Sequence, residues 1–232
     1  MLIACWSPKG GSGTTVTACG LAAVLARGST SGALLADLSG DAAAVLGMAD
    51  PTGPGLAEWL AAGPDVGPGA LPRLEVEAGG GLRVLPWKPP GPEFRPAAGR
   101  AEALVDALSA DERPVVVDCG SGTTGAGLAV AAGAQTSLLV LRPCYLGLRR
   151  ALAAPVRPSG VVLVTDGARA LGRRDVEDVL GVPVRAEIAI EEAVARAVDA
   201  GLLARRVPRP LERALRPIVG ACGRAGAGQD AA

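Results

Sequence analysis

Histidine is missing from this 232-residue chain, and its absence removes whole classes of chemistry. No imidazole base, no Ser-His-Asp triad and no histidine metal site can be built. Aromatic residues make up only 2 % of the sequence, so the 49 % that is hydrophobic must pack a core of Ala, Val and Leu. Charge of either sign in excess is also missing. The 23 basic residues balance 23 acidic ones, which argues against a chain-wide basic surface for nucleic acid. The five cysteines are Cys5, Cys19, Cys119, Cys144 and Cys222. They form no CxxC pair, so a zinc ribbon is not expected. Most lie in apolar stretches and read as small buried hydrophobes of a reducing compartment. No apolar run reaches the ~18 residues that a membrane span needs. No signal-peptide pattern precedes the first strand. The expected location is the cytoplasm, and the length suits one α/β domain.

Lysine is nearly missing as well. Only Lys9 and Lys88 stand among the 23 basic residues, and the rest are arginine. Lys9 falls inside Ser7-Pro8-Lys9-Gly10-Gly11-Ser12-Gly13-Thr14-Thr15, so its placement is not casual. A compact ammonium fits between phosphates where a planar guanidinium does not. An ordinary P-loop reads G-x-x-x-x-G-K-[ST]. Gly13 takes the second glycine position, Thr14 the lysine position and Thr15 the position of the magnesium-binding hydroxyl. Leu2–Trp6 before the loop reads as a buried strand. Thr15–Arg27 after it carries Val16, Leu21, Val24 and Leu25 at helical spacing. Strand, glycine loop and helix is the context such a motif requires. It turns backbone N–H groups and a helix N-terminus toward phosphate.

Further strands are expected at Ala33–Asp37, Leu82–Pro86, Val115–Asp118, Thr136–Leu141, Gly160–Thr165 and Val182–Glu187. Helices are expected near 54–63, 97–109, 124–132, 145–153, 173–180, 190–200 and 209–221. This alternation predicts a mostly parallel, doubly wound α/β sheet with helices on both faces. Residues 86–96 carry too many prolines for regular structure and read as a surface loop. Its Trp87 reads as an exposed partner contact, whereas Trp6 and Trp59 read as packing residues. Residues 1–222 read as one domain and 223–232 as a flexible tail.

Two acids end strands on this scaffold, where open α/β sheets bind ligands. Asp37 closes the second strand. Asp118 closes Val115-Val116-Val117 in the manner of a Walker B element, whose acid holds the magnesium shell.

The loop 7–15 resembles the deviant P-loop of the ParA/MinD superfamily, KGGxGK[ST]. The front lysine is kept as Lys9 and the rear one is replaced by Thr14. The resemblance covers nearly the whole chain. Leu38–Met48 and Gly55–Leu60 look most like the CpaE/TadZ branch, which includes proteins of Tad/Flp pilus machinery and septum-site proteins. Residues 140–150 and 194–201 match further family segments. The resemblance implies a P-loop fold that binds ATP or ADP with Mg²⁺. It implies nucleotide contacts from Lys9, Gly10, Gly11, Ser12, Gly13, Thr14 and Thr15, and metal contacts from Thr15 and Asp118. It makes Lys9 and Asp37 the catalytic candidates. It also implies a homodimer in which Lys9 reaches the partner's nucleotide, and a protein partner in a pilus, secretion or cell-division complex. Relatives carry D-x-D after strand two, and the second Asp positions water. Here that position is Ser39, with Asp41 two residues further on. Thr165-Asp166-Gly167 stands where relatives read adenine with Asn or Arg. With Thr14 and Ser39 in place of a lysine and an acid, hydrolysis is expected to be weak or absent. Competing readings are an active partition ATPase and an amidoligase-like enzyme. Near the C-terminus, Arg205, Arg206, Arg209, Arg213 and Arg216 could meet DNA. Leu211, Leu215, Ile218, Val219 and Cys222 on one helical face could meet a membrane. The favoured reading is that this face packs on the sheet, with peripheral attachment at the membrane or cell pole as the lesser alternative.

Overall fold

The computed structural model describes residues 1–63, 65–88, 94–121, 125–167 and 170–227, with side chains as far as 221. An eight-stranded sheet runs through the molecule. Its strands are β1 (Leu2–Trp6), β2 (Ala33–Asp37), β3 (Val76–Gly79), β4 (Leu82–Leu85), β5 (Val115–Asp118), β6 (Thr136–Leu141), β7 (Gly160–Thr165) and β8 (Val184–Ala189). Their order in space is β3-β4-β2-β5-β1-β6-β7-β8. Every neighbouring pair is parallel except β3 with β4. The helices are α1 (Thr14–Gly28), α2 (Ala42–Leu46), α3 (Leu56–Ala61), α4 (Arg100–Ser109), α5 (Gly125–Gly133), α6 (Tyr145–Leu152), α7 (Arg173–Leu180), α8 (Glu192–Asp199) and α9 (Arg209–Ala227).

The apolar strands form because both faces of the sheet are covered. In β1, Ile3 and Cys5 join one core with Leu21, Leu25, Leu211 and Leu215. Leu2, Ala4 and Trp6 point the other way, into a core with Leu60, Leu104 and Val130. That alternation is the two-residue period of a pleated strand. From β1 the chain builds outward through β2 on one side and later through β6 on the other. The strand order therefore reverses at β1, and a crevice opens at its carboxyl end.

Six of the seven expected strands begin as read. The last lies at Val184–Ala189 rather than Val182–Glu187, because Pro183 still belongs to the turn. Besides the 3-10 turn Pro68–Leu74, two elements carried no legible pattern. One is the short antiparallel edge strand β3, glycine-ended and half exposed. The other is α2, five residues long and too short for helical periodicity. Helix α9 runs through Pro217 to Ala227, so the stretch expected to be tail from 223 is helical that far. Residues 228–232 of that expectation, and 89–93 of the proline-rich loop, lie outside the described residues. Trp87 is not the free contact expected. It is half-buried, meets Phe94 edge-on at 5.2 Å and lies beside Gly40, where an added Cβ would come within 3.4 Å of its ring.

Helix α9 settles where its apolar side goes. Leu211, Leu215 and Ile218 are buried against α1 and β8. Gly20 of α1 makes the close crossing possible, since a Cβ there would lie 2.9 Å from Leu211 Cδ2. Arg205, Arg206, Arg209, Arg213 and Arg216 are all exposed. Among the described residues no helix is long and apolar enough to cross a membrane.

Candidate functional site

Residues 7–13 connect β1 to α1 at the crevice. Gly13 caps the helix in the left-handed region (φ 88°), and Gly11 is left-handed too (φ 73°), conformations that favour glycine. Gly10 is different. Its φ is not positive, and an added Cβ would meet no atom of the described residues within 4 Å. Neither backbone sign nor packing asks for glycine there. The space it keeps open is at the mouth of the loop, where a phosphate would approach the backbone. Hydroxyls hold the loop's shape from behind. Ser7 Oγ reaches the carbonyls of Lys9 (2.8 Å) and Gly120 (3.2 Å), and Ser12 Oγ donates to the Lys9 carbonyl at 3.1 Å. Lys9 is half-buried, and among the described residues its ammonium makes no ion pair. Thr14, in the lysine position, is only 6 % exposed.

Two acids meet beside this loop. Asp37 and Asp118 are register partners across β2 and β5, and both are buried. Asp37 Oδ1 accepts from the backbone N–H groups of Ser39 and Gly40, each at 2.8 Å, and Oδ2 from Ala42 at 3.1 Å. It thereby builds the turn that leads into α2. Asp118 Oδ1 accepts from Gly120 N at 3.0 Å, and Oδ2 from Ser39 Oγ at 2.7 Å. Thr15 Oγ1 lies 3.5 Å from Ser39 Oγ. Burial pushes the Asp118 carboxyl above its ordinary range; bonds from Ser39, Thr15 and Gly120 oppose this, and the Asp37 charge adds to it. The structure thus brings Thr15, Asp37 and Asp118 together with Ser39, which sequence reading treated only as a lost acid. Asp41 is exposed at the start of α2. Among the described residues its side chain makes no bond to the cluster.

An apolar cavity of about 280 Å³ opens on the other side of the loop. Gly11, Gly13 and Thr17 line it from the loop and α1. Val164, Ile188 and Glu191 line it from the ends of β7 and β8, and Arg142 from the end of β6. The lining from β8 was not legible in sequence, because nothing local marks residues that only the sheet order brings to the loop. A second cavity of about 430 Å³ lies beside Ser39, Gly120 and Ser121, bordered by Trp87 and Phe94. A larger open groove of about 980 Å³ lies between α8 and the start of α9 and includes none of the loop residues. The thiols of Cys19 and Cys119 are buried, and that burial pushes them well up, so neither is a nucleophile for this site.

An oxygen-only donor pair, Thr15 and Asp118, suits a hard cation that keeps water and phosphate ligands. Among the described residues there is no gathering of three or more His, Cys, Asp or Glu side chains of the kind a closed metal site needs.

No family profile matches the sequence, and no curated protein matches it. Solved structures do match the fold. The chain is similar to a ParA family ATPase from Chlorobium tepidum, with TM-score 0.76 and 20 % identity over 92 % of this chain and 95 % of that one. It is similar to the septum site-determining protein MinD of Pyrococcus horikoshii, solved with Mg-ADP, with TM-score 0.75 and 19 % identity over 93 % of each chain. A putative plasmid partition protein of Borrelia burgdorferi bound to AMPPNP matches with TM-score 0.71 and 14 % identity, over 97 % and 98 %. The mostly parallel sheet with its flanking helices is the ParA/MinD type of P-loop NTPase fold.

Proposed function

We propose that this chain is a ParA/MinD-family protein that binds ATP and ADP with Mg²⁺, dimerises through the bound nucleotide and positions a partner complex, with hydrolysis weak or absent. One observation carries the reading. A glycine loop opens at the point of strand reversal, and Thr15 and Asp118 converge beside it around Ser39. Loop N–H groups and the α1 N-terminus would hold phosphates. The 280 Å³ apolar cavity beside Gly11 and Gly13 would take the base, and Arg142 on its wall supplies a cation near the loop. Thr15 and Asp118 would hold magnesium, which when bound neutralises phosphate charge. Lys9, which makes no ion pair among the described residues, is left for phosphate, and in a face-to-face dimer for the partner's nucleotide.

Weak hydrolysis follows from two positions. Thr14 brings no charge to the phosphates. Ser39 is a neutral hydroxyl engaged with Asp118 and cannot act as a carboxylate toward water. Removing one such stabilising group costs about 10²–10³ in rate. Asp37 keeps a structural share in this reading, because backbone N–H groups occupy both its oxygens. The partner we favour is pilus, secretion or division machinery, on the likeness of residues 38–60 to the CpaE/TadZ branch. A second reading, attachment to DNA, draws on the five exposed arginines of 205–216. Co-sedimentation with DNA at low and high salt tests it.

The deciding experiment is calorimetric titration with Mg-ATP and Mg-ADP, with particle mass followed alongside, for wild type and Lys9→Ala. Binding that drives dimerisation in wild type and not in the variant is the expected result. A monomer with and without bound nucleotide would overturn the dimer switch, and no binding at all would overturn the nucleotide reading.

A further inference from the structure

Ser39 Oγ is the one group that touches every other member of the acid cluster. It lies 2.7 Å from Asp118 Oδ2, 3.0 Å from Asp37 Oδ1 and 3.5 Å from Thr15 Oγ1. A hydroxyl has one proton, and the shortest contact places it on Asp118. Ser39 is itself held in place, because Asp37 pins the backbone N–H groups of Ser39, Gly40 and Ala42. A chain of fixed contacts therefore runs from Asp37 through the turn to Ser39 and on to Asp118. With Oδ1 anchored by Gly120 N and Oδ2 by Ser39, the Asp118 carboxylate has a fixed plane. Thr15 bonds to the same carboxylate, so the acid and the hydroxyl proposed for magnesium lie side by side. A carboxylate at position 39 could donate no proton and would be a third negative charge beside two buried acids. An alanine would leave Oδ2 without this donor.

We propose that Ser39 is a positioning residue for Asp118, and that its hydroxyl sets how much magnesium strengthens nucleotide binding. This rests on the nucleotide-binding reading above. Donors that orient a metal ligand typically change metal affinity 10–100-fold when removed. The position that looks like a lost catalytic acid is then a gain for holding magnesium and nucleotide.

The test is ATP titration by calorimetry in Mg²⁺ and in EDTA, for wild type, Ser39→Ala, Ser39→Thr and Ser39→Asp. The readout is the dissociation constant in EDTA divided by that in Mg²⁺. We expect the ratio to fall about tenfold in Ser39→Ala, to fall also in Ser39→Asp, and to recover in Ser39→Thr, while affinity in EDTA stays within about twofold. A merely structural role would weaken binding equally in both buffers, and an unchanged ratio in Ser39→Ala overturns the proposal. Wild type that binds ATP in neither buffer overturns the underlying reading and this proposal with it. Wild type that binds with a magnesium-dependent ratio insensitive to Ser39 overturns this proposal alone.

Discussion

Thr14 stands where a P-loop places its second lysine, buried at the start of α1. Restoring the charge tests how much of the missing chemistry that one position accounts for. Thr14→Lys is expected to raise ATP turnover at least about tenfold, against the 10²–10³ that one such stabilising group is worth, read as phosphate release. No gain would place the deficiency at Ser39 instead. The buried thiols make a second residue-scale test. Because burial pushes Cys19 and Cys119 well up, little thiolate forms at neutral pH. Native protein should leave both unmodified by a thiol reagent that labels them fully in denaturant, as peptide mapping would show. At this scale the sequence was informative where chemistry is local. The glycine loop, Thr15, Asp37 and Asp118 were all legible from residue type and strand position. The part Ser39 plays was not, because a serine announces no partner until β2 and β5 are laid side by side.

Helix α9 is the element whose reading depended most on three-dimensional context. Its apolar stripe fits a membrane surface or a protein core equally well by periodicity. The structure commits it to the core, with Leu211 and Leu215 fully buried against α1. Leu215→Ala should therefore cost about 2–5 kcal/mol of stability, measured by denaturant unfolding. A membrane-docking residue would cost almost nothing in solution. Gly20→Val attacks the same contact from α1, where a Cβ already comes within 2.9 Å of Leu211; overpacking of this kind costs about 1–3 kcal/mol. Long helices and buried strands were readable from their periods. The edge strand β3 and the short helix α2 were not. Among the described residues β3 pairs only with β4, and it ends in glycines. α2 is started by a carboxylate five residues upstream, since Asp37 accepts from Ala42 N.

Across the whole molecule, one ionic network ties the β3 edge to the entry of β5. Arg113 grips Glu75 with two bonds (2.7 and 3.0 Å) and Asp111 at 2.7 Å, while Arg83 Nε donates to Glu75 at 2.6 Å. Burial alone would raise both carboxyls, but the bonds and charge of Arg113, joined by Arg83 at Glu75, outweigh it and hold them below their ordinary values. A carboxyl lowered in the folded state adds stability above its unfolded value and loses it as pH falls through the folded one. Stability should thus decline as pH drops below the ordinary Glu value of 4.5. Glu75→Gln should flatten that decline, as thermal melts in a pH series would show. A slope unchanged by the substitution would mean the network carries no acid sensitivity. The parallel sheet was legible as alternating strands and helices, while its order, with β1 between β5 and β6, depends on pairings that no local pattern encodes. That order also sets Trp87, reached from β4, against Gly40 in the turn after β2. In a chain with three tryptophans, of which Trp6 and Trp59 are sealed in the core, Trp87 is an intrinsic optical probe of that turn. Its emission should shift when Ser39 and its neighbours move, and Trp87→Phe should silence the signal.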